Sequence, residues 1–252
     1  MANLGFVGRA YKELFEDWTG AENIATTAAD GVAFLSTADT GGTVFIVVAD
    51  AQGPVAQGAL DTTDDDMMEI AHHLVTWSAQ HGELYGEWRV KVSVGAIADV
   101  ALNVGFNDDA LEDSNSLPVE LSTVTFTSNS TSFVGVVFDA DATNDDFHAF
   151  AVDDDGDISK AIADLRAPGI APILDEWFGV AIRLTDAGSG NRAIAEINVC
   201  EESTGKYKQF RFTDVIDRDV LLTPYFGVEN RAGTAHTAEV DYVYVRQSRS
   251  AT

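Results

Sequence analysis

Hydrophobic and polar residues alternate along much of the chain, most clearly between Glu83 and Phe106. Apolar residues occupy every second position in two runs: Leu84, Gly86, Trp88, Val90, Val92 and Val94, then Val100, Leu102, Val104 and Phe106. Because successive residues of a β-strand point to opposite faces, this pattern predicts two strands of an antiparallel sheet with one face in a core.

Similar short segments continue toward the C-terminus. The predicted strands are 133–138, 147–152, 178–184, 193–200, 208–212, 225–228 and 240–245. Turn-forming residues separate many of them, as in 139–146, 153–157, 186–191 and 202–206. Many short strands without intervening helices predict a β-sandwich or jelly roll.

The N-terminal segment 8–22 has the period of an amphipathic helix. Its apolar stripe falls at positions i, i+3, i+4 and i+7, occupied by Tyr11, Leu14, Phe15 and Trp18. Such a helix either lies on its own sandwich or docks on a neighbouring subunit. We therefore take these four residues as candidates for an interface.

Three further segments complete the predicted organisation. Residues 67–77 suit a helix or a strand, and we interpret them as a strand because strands surround them. The run Thr43–Ala49 is predicted to be a strand buried on both faces, and the polar stretch Asn107–Ser132 a surface loop. The length suits one β-sandwich domain at residues 31–252, preceded by an N-terminal helical arm at residues 1–30.

Composition limits the partners that this chain can have. It contains 41 acidic and 15 basic residues, so its formal net charge is -26 and its pI is about 4.2. Such a field repels phosphate backbones and anionic lipids, and we expect neither nucleic acid nor membranes as partners. No apolar run approaches a membrane span, and no leader is recognisable. The single cysteine, Cys200, excludes an internal disulfide and suggests an inert strand thiol in a protein made in a reducing cytoplasm.

An aspartate-rich turn is the candidate metal site. Asp153, Asp155 and Asp157 surround Gly156, which permits the sharp turn that gathers carboxylate oxygens around a hard cation such as calcium. The distal glutamate of an EF-hand is missing, so the alternative is a solvated turn without metal. The histidines have no spacing typical of a metal site; they are His72, His73, His81, His148 and His236.

Motifs distributed over residues 65–245 resemble the concanavalin A-like jelly rolls, which include laminin G and glucanase domains. The matching segments are 65–70, 84–92, 104–108, 134–138, 177–182, 222–228 and 238–245. This resemblance implies an all-β, concanavalin A-like antiparallel β-sandwich, here with a short N-terminal helical arm.

A hydrolase of this superfamily would carry the pattern Glu-x-Asp-x-x-Glu, whose carboxylates share one face of a strand. The nearest match runs from Glu239 through Asp241 to Tyr244, so a tyrosine stands where the third carboxylate is required. Because general acid catalysis needs that proton donor, we expect no enzyme activity and assign no catalytic residue.

The chain also resembles jelly-roll virion proteins of tailed bacteriophages. That resemblance implies a non-enzymatic decoration or cement protein, located on the capsid surface of the virion, which binds the major capsid protein and stabilises the phage head. The protein would form a homo-oligomer there. The alternative is a carbohydrate-binding, lectin-like module or a receptor-binding tail component, since one sandwich fold hosts many functions.

Overall fold

The computed structural model describes residues 11–19, 24–28, 32–50, 53–112, 116–153, 156–157 and 162–249. Most of them lie in β-strands, with one 3₁₀ turn at Ile97–Asp99 and one helical turn, α1, at Ile162–Leu165. The strands are β1 (Tyr11–Glu16), β2 (Ile24–Ala25), β3 (Phe34–Ala38), β4 (Thr43–Asp50), β5 (Gly53–Leu60), β6 (Met67–His72), β7 (Glu83–Val94), β8 (Val100–Asn107), β9 (Val119–Ser122), β10 (Thr125–Ser128), β11 (Ser132–Asp139), β12 (His148–Asp153), β13 (Gly156–Asp157), β14 (Phe178–Asp186), β15 (Arg192–Glu201), β16 (Lys206–Asp217), β17 (Thr223–Asn230) and β18 (His236–Ser248).

Within the described residues, the strands form two eight-stranded sheets and one separate hairpin. Sheet A has the order β16-β15-β14-β7-β18-β5-β4, and β1 pairs with the second half of β18. Sheet B has the order β13-β12-β11-β8-β17-β6-β3-β2. All pairs are antiparallel except the short pair β2–β3. The predicted antiparallel β-sandwich is confirmed.

The main core lies between the two sheets. Each central strand sends its alternate apolar residues inward, as Trp88 of β7 and Phe106 of β8 illustrate. Their rings meet edge to face with centroids 5.0 Å apart. A Cβ on Gly86 would lie 2.5 Å from the Trp88 ring, so glycine makes room for this contact. Full burial of one such side chain contributes about 1.5–3 kcal/mol, which explains why strict alternation predicts this layer well.

The outer face of sheet B is covered by the chain's own residues. Strand β8 is buried along its whole length, not on one face as its alternation predicts. Asn103 points outward, accepts a hydrogen bond from the Val119 amide at 2.9 Å and donates one to the Val119 carbonyl at 2.8 Å. The stretch 107–132, predicted as a surface loop, contains the hairpin β9–β10, which packs on β11. Both predictions are wrong for the same reason: polar side chains of sheet B form hydrogen bonds with the backbone of the segment that lies over them.

The predicted N-terminal helix is wrong for the described residues 11–16, which form strand β1. Tyr11 pairs with Ser248 and Glu16 with Val243. Beyond the stretch of β18 that pairs with β5, the second half of β18 has a row of backbone groups that need partners, and β1 supplies them. The apolar spacing suited a helix, but pairing with this distant edge outweighs local periodicity.

Two other strand predictions have different outcomes. The ambiguous segment 67–77 begins with strand β6, Met67–His72, so the strand interpretation is confirmed there. Strand β4 is present as predicted but is not buried on both faces. It lies at the edge of sheet A, where Phe45 is buried and Ile46 is exposed.

Candidate functional site

The outer face of sheet A contains a depression of about 220 Å³, which we call the trough. Its floor is Gly179 and Ala181, two small residues on the central strand β14. The residues that line it are Glu87, Gly179, Val180, Ala181, Asn198, Cys200, Glu202 and Tyr242. Carboxylate, amide, thiol and phenol groups therefore surround an apolar floor.

Strand pairing explains why the trough lies here. Ala181 pairs with Glu87 on one side and with Asn198 on the other. Gly179 pairs with Cys200 in the same way. Residues directly opposite each other in an antiparallel pair point to the same face, so larger side chains flank the two small ones. The missing bulk on β14 leaves the space open.

One wall of the trough is a carboxylate held by two phenols. Glu87 accepts a hydrogen bond from the Tyr85 hydroxyl at 2.7 Å and another from the Tyr242 hydroxyl. Burial and the adjacent Glu87 carboxylate raise the pKa of both tyrosines well above the ordinary value, so both hydroxyls remain protonated donors. The carboxylate and the Tyr242 ring are thereby fixed in orientation.

Arg89 organises the lower end of the trough. Its guanidinium donates two hydrogen bonds of 2.9 Å to Glu202 and one of 2.8 Å to Asp241. Partial burial acts to lower the pKa of Arg89, but the hydrogen bonds with these carboxylates raise it above its usual value. The guanidinium also lies 4.5 Å from the centroid of the Trp177 ring. Glu202 is therefore a neutralised, oriented wall of the trough.

A ladder of ion pairs that crosses five strands borders the trough on the side where β14 continues from Ala181 to Arg183, which we call the upper side. Its members in order are Arg246, Glu83, Arg183, Glu196 and Arg211. Successive nitrogen–oxygen distances are 2.6, 3.5, 3.3 and 3.7 Å. Each member faces an opposite charge, and the three arginines and two glutamates together leave one excess positive charge spread along the ladder.

Exposed aromatic side chains stand at both margins of this face. Tyr207 of β16 pairs with Cys200 and is 73% exposed. On the opposite margin, Phe15 of β1 is 61% exposed, and its ring centroid lies 6.2 Å from that of Tyr242 and 6.4 Å from that of Tyr244. The trough thus lies between two aromatic borders.

The four predicted interface residues do not form one stripe. Tyr11 and Phe15 are exposed, and Leu14 is half-buried against the core. Trp18 is buried and packs edge to face on Phe34 with centroids 5.1 Å apart, so it is unavailable to a partner. Residues an odd number of positions apart in a strand point to opposite faces. Leu14 therefore points away from the face that carries Tyr11 and Phe15.

The predicted calcium ligands are only partly described. Asp155 and the side chain of Asp157 lie outside the described residues. Asp153 accepts hydrogen bonds from Arg192 at 2.7 Å and from the Asp217 amide at 2.9 Å on one oxygen, and from a serine hydroxyl on the other. Both carboxylate oxygens of Asp153 are thus engaged by groups of the chain, and calcium binding by this residue stays a prediction. Across the described residues, no three histidine, cysteine, aspartate or glutamate side chains are placed to hold a metal.

The nearest match to the glucanase pattern lies on β18, at the lower edge of the same face. The Glu239 carboxylate is buried, 3.1 Å from Lys91 Nζ, and accepts a hydrogen bond from Gln57 at 3.0 Å. Both carboxylate oxygens of Glu239 are therefore engaged by side chains of the protein. Neither Glu239 nor Tyr244 lines the trough.

The trough residues form no motif that marks them as a site in the sequence. The only signal available was the pair of small residues, Gly179 and Ala181, at alternate positions in an otherwise bulky strand. That signal becomes informative only when the neighbours of β14 are known.

Comparison with solved structures identifies similar folds. A protein of unknown function from Shewanella oneidensis MR-1 has a TM-score of 0.55 and 10% identity, with 96% of this chain and 88% of that chain covered. Peanut lectin, solved with a nine-residue peptide, has a TM-score of 0.55 and 9% identity, with 94% and 97% covered. Lectin I from Ulex europaeus, in complex with the methyl glycoside of α-L-fucose, has a TM-score of 0.53 and 12% identity, with 94% and 98% covered.

These similarities confirm the predicted concanavalin A-like fold and, at such low identity, the fold alone. No protein-family model matches the sequence, and no curated protein matches it. In the part of the chain that the structure describes, no helix is both long and apolar enough to cross a membrane. The resemblance to phage virion proteins is untested by these structures and stays a prediction.

Proposed function

We propose that this protein is a carbohydrate-binding domain without catalytic activity and that the trough holds the glycan. The observation that carries the proposal is the combination of an apolar floor with fixed polar walls on one open sheet face. Sugars present hydroxyls and apolar ring faces together, and such a surface can bind both. Two of the similar folds are lectins, and one of these was solved with a fucose glycoside.

The state of the carboxylates supports binding without turnover. Retaining hydrolysis requires a nucleophile and a proton donor about 5 Å apart. Glu87 is held by two phenol hydroxyls, and Glu202 by the Arg89 guanidinium. Both carboxylates therefore act as oriented hydrogen-bond acceptors for sugar hydroxyls.

The cysteine offers a direct test of this site. Cys200 lines the trough and is the only cysteine of the chain, so its alkylation reports on trough occupancy. Burial, then Glu202 and Glu201, raise the pKa of the thiol, and the reaction should be followed near pH 9. Glycans that bind in the trough should slow alkylation by at least about tenfold at saturation.

The matched variants are Asn198→Ala in the trough and Thr213→Ala, exposed on β16 outside it. Loss of one well-placed hydrogen bond should weaken glycan binding by about tenfold in Asn198→Ala and leave Thr213→Ala unchanged. Glycan binding that leaves the alkylation rate of Cys200 unchanged would place the site elsewhere. Absence of binding to a broad glycan panel would overturn the proposal.

A second candidate is attachment to the outside of a phage capsid through the major capsid protein. Two exposed aromatic side chains of β1, Tyr11 and Phe15, support it, because aromatic residues are enriched in protein interfaces. In this case the protein should occur in purified virions in a fixed ratio to the shell protein. Replacing both residues with serine should reduce that ratio, whereas Thr213→Ala should not.

A further inference from the structure

We propose that the ligand of the trough is an uncharged, unbranched glycan chain that lies across the strands, and that Tyr207 and Gln209 form its far binding subsite. This inference rests on the proposed function and adds the direction, the charge and the length of the ligand.

The direction follows from the register of sheet A. Glu87 of β7, Ala181 of β14, Asn198 of β15 and Gln209 of β16 are successive partners across four strands. Hydrogen-bonding groups therefore repeat along a line perpendicular to the strands, with the small floor in the middle. A chain laid along this line meets a polar group at each side of the floor.

The length follows from the aromatic side chains at the two ends. Tyr242 lies on β18 and Tyr207 on β16, and these strands are four steps apart in sheet A. Neighbouring strands are about 4.8 Å apart, so the two positions are separated by roughly 19 Å. This span suits about four sugar rings, with an aromatic ring available for stacking at each end.

The width excludes branches at the floor. Gly179 and Ala181 are successive outward positions of one strand, roughly 7 Å apart. Above them stands Arg183, a member of the ion-pair ladder, and below them the pair Arg89–Glu202. One sugar chain fills this width, and a branch at the centre would meet one of these charged walls.

The absence of charge on the ligand follows from the walls. Glu87 and Glu202 line the trough, and the guanidiniums nearby are already paired with carboxylates. The whole chain carries a net charge of -26. A uronic acid or sulfated chain would be repelled and would find few unpaired cations, whereas a neutral chain needs only hydrogen bonds and stacking.

The test is a calorimetric titration with neutral, linear oligosaccharides of two to six units. The probes are β-1,4-, β-1,3- and α-1,4-linked glucose oligomers and β-1,4-linked mannose oligomers. For any series that binds, affinity should rise with length to about four units and then level off. Tyr207→Ala should weaken binding of the four-unit chain by about tenfold and leave that of the two-unit chain within about twofold.

The controls separate this inference from the proposed function. Tyr207 is 73% exposed, so its replacement leaves the core intact, and Thr213→Ala provides an exposed change outside the trough. If chains bind and protect Cys200 but Tyr207→Ala affects short and long chains equally, the extended site is wrong and the proposed function stands. If a galacturonate oligomer of equal length binds as tightly, the ligand is not restricted to neutral chains. If none of these series binds while another glycan protects Cys200, the neutral linear ligand is wrong and the proposed function stands; if no glycan of a broad panel binds, both proposals are wrong.

Discussion

A buried glutamate beneath the 107–132 segment leads to a prediction about stability and pH. Glu229 of β17 is 2% exposed and accepts a hydrogen bond from Arg231 at 2.5 Å. The same guanidinium lies 2.8 Å from the buried Asp139 carboxylate. One arginine therefore serves two buried carboxylates, and full ionisation of both would leave an uncompensated charge out of water.

Burial raises the pKa of Glu229 to about 8. Arg231 and the Leu117 amide act to lower it, while Glu120 and Asp139 raise it further. Because the unfolded value is 4.5, the folded state keeps a proton that the unfolded state releases between pH 4.5 and about pH 8. The contribution to stability is fully present below pH 4.5 and is lost as the pH rises through 8. The loss is about 1.4 kcal/mol per pH unit, or on the order of 5 kcal/mol over the whole range.

The perturbation is Glu229→Gln, since glutamine has the shape and neutrality of the protonated acid. Urea denaturation should give free energies of unfolding for the two proteins within about 1 kcal/mol of each other at pH 5. At pH 8 the variant should be more stable by about 3–4 kcal/mol. The difference between the two proteins isolates Glu229, because other titrating groups are common to both. Glu176→Gln serves as the control for exchanging a glutamate for glutamine at an exposed position.

One result would refute this reasoning. If the stability difference between the parent and Glu229→Gln is the same at pH 5 and pH 8, the Glu229 carboxyl ionises over the same pH range in the folded protein as in the unfolded chain. The attraction of Arg231 would then outweigh the effect of burial on Glu229.

Two further predictions concern the backbone and the aspartate turn. A Cβ on Gly135 would lie 2.3 Å from the Val104 carbonyl oxygen, so Gly135→Ala should lower the free energy of unfolding by about 1–3 kcal/mol in urea denaturation. A Cβ on Gly179 would have its nearest atom at 4.0 Å, so Gly179→Ala should not lower it. Equal effects of the two substitutions would contradict the packing argument. Asp153→Asn should lower the free energy of unfolding by about 1–3 kcal/mol in the presence of EDTA, because the carboxylate binds Arg192 and a backbone amide. If the free energy of unfolding falls only when calcium is added, Asp153 is instead a calcium ligand.

The central strands could be predicted because burial of apolar side chains determines which residues point inward. Residues 84–92 and 100–106 alternate strictly, and in each run the inward set fills the main core. Any slip by one residue would turn this set to the other face, so the pattern specifies both the strand and its orientation. Strand β6 was ambiguous by the same criterion, since its six residues are all buried and carry no period.

The N-terminal strand could not be predicted from its own residues. Tyr11, Leu14 and Phe15 suit a helix, and the structure that they adopt depends on β18, more than 200 residues away in the sequence. An exposed strand edge supplies backbone hydrogen bonds that no local pattern encodes. The trough was missed for a related reason: Glu87 and Asn198 are far apart in the sequence and come to flank Ala181 only through strand register.

The two outer faces of the sandwich differ in what they leave open to partners. In sheet B, strands β8, β11 and β17 are buried along their entire lengths, because the 107–132 segment covers the outer face. Outward polar side chains such as that of Asn103 form hydrogen bonds with the backbone of that segment. In sheet A, outward residues of β14 and β15 remain accessible, and fixed acceptors such as Glu87 surround an apolar floor. Among the residues that the structure describes, nothing on the central face of sheet A has to move for a ligand to reach it, whereas the central face of sheet B is covered, which is why we assign recognition to the trough.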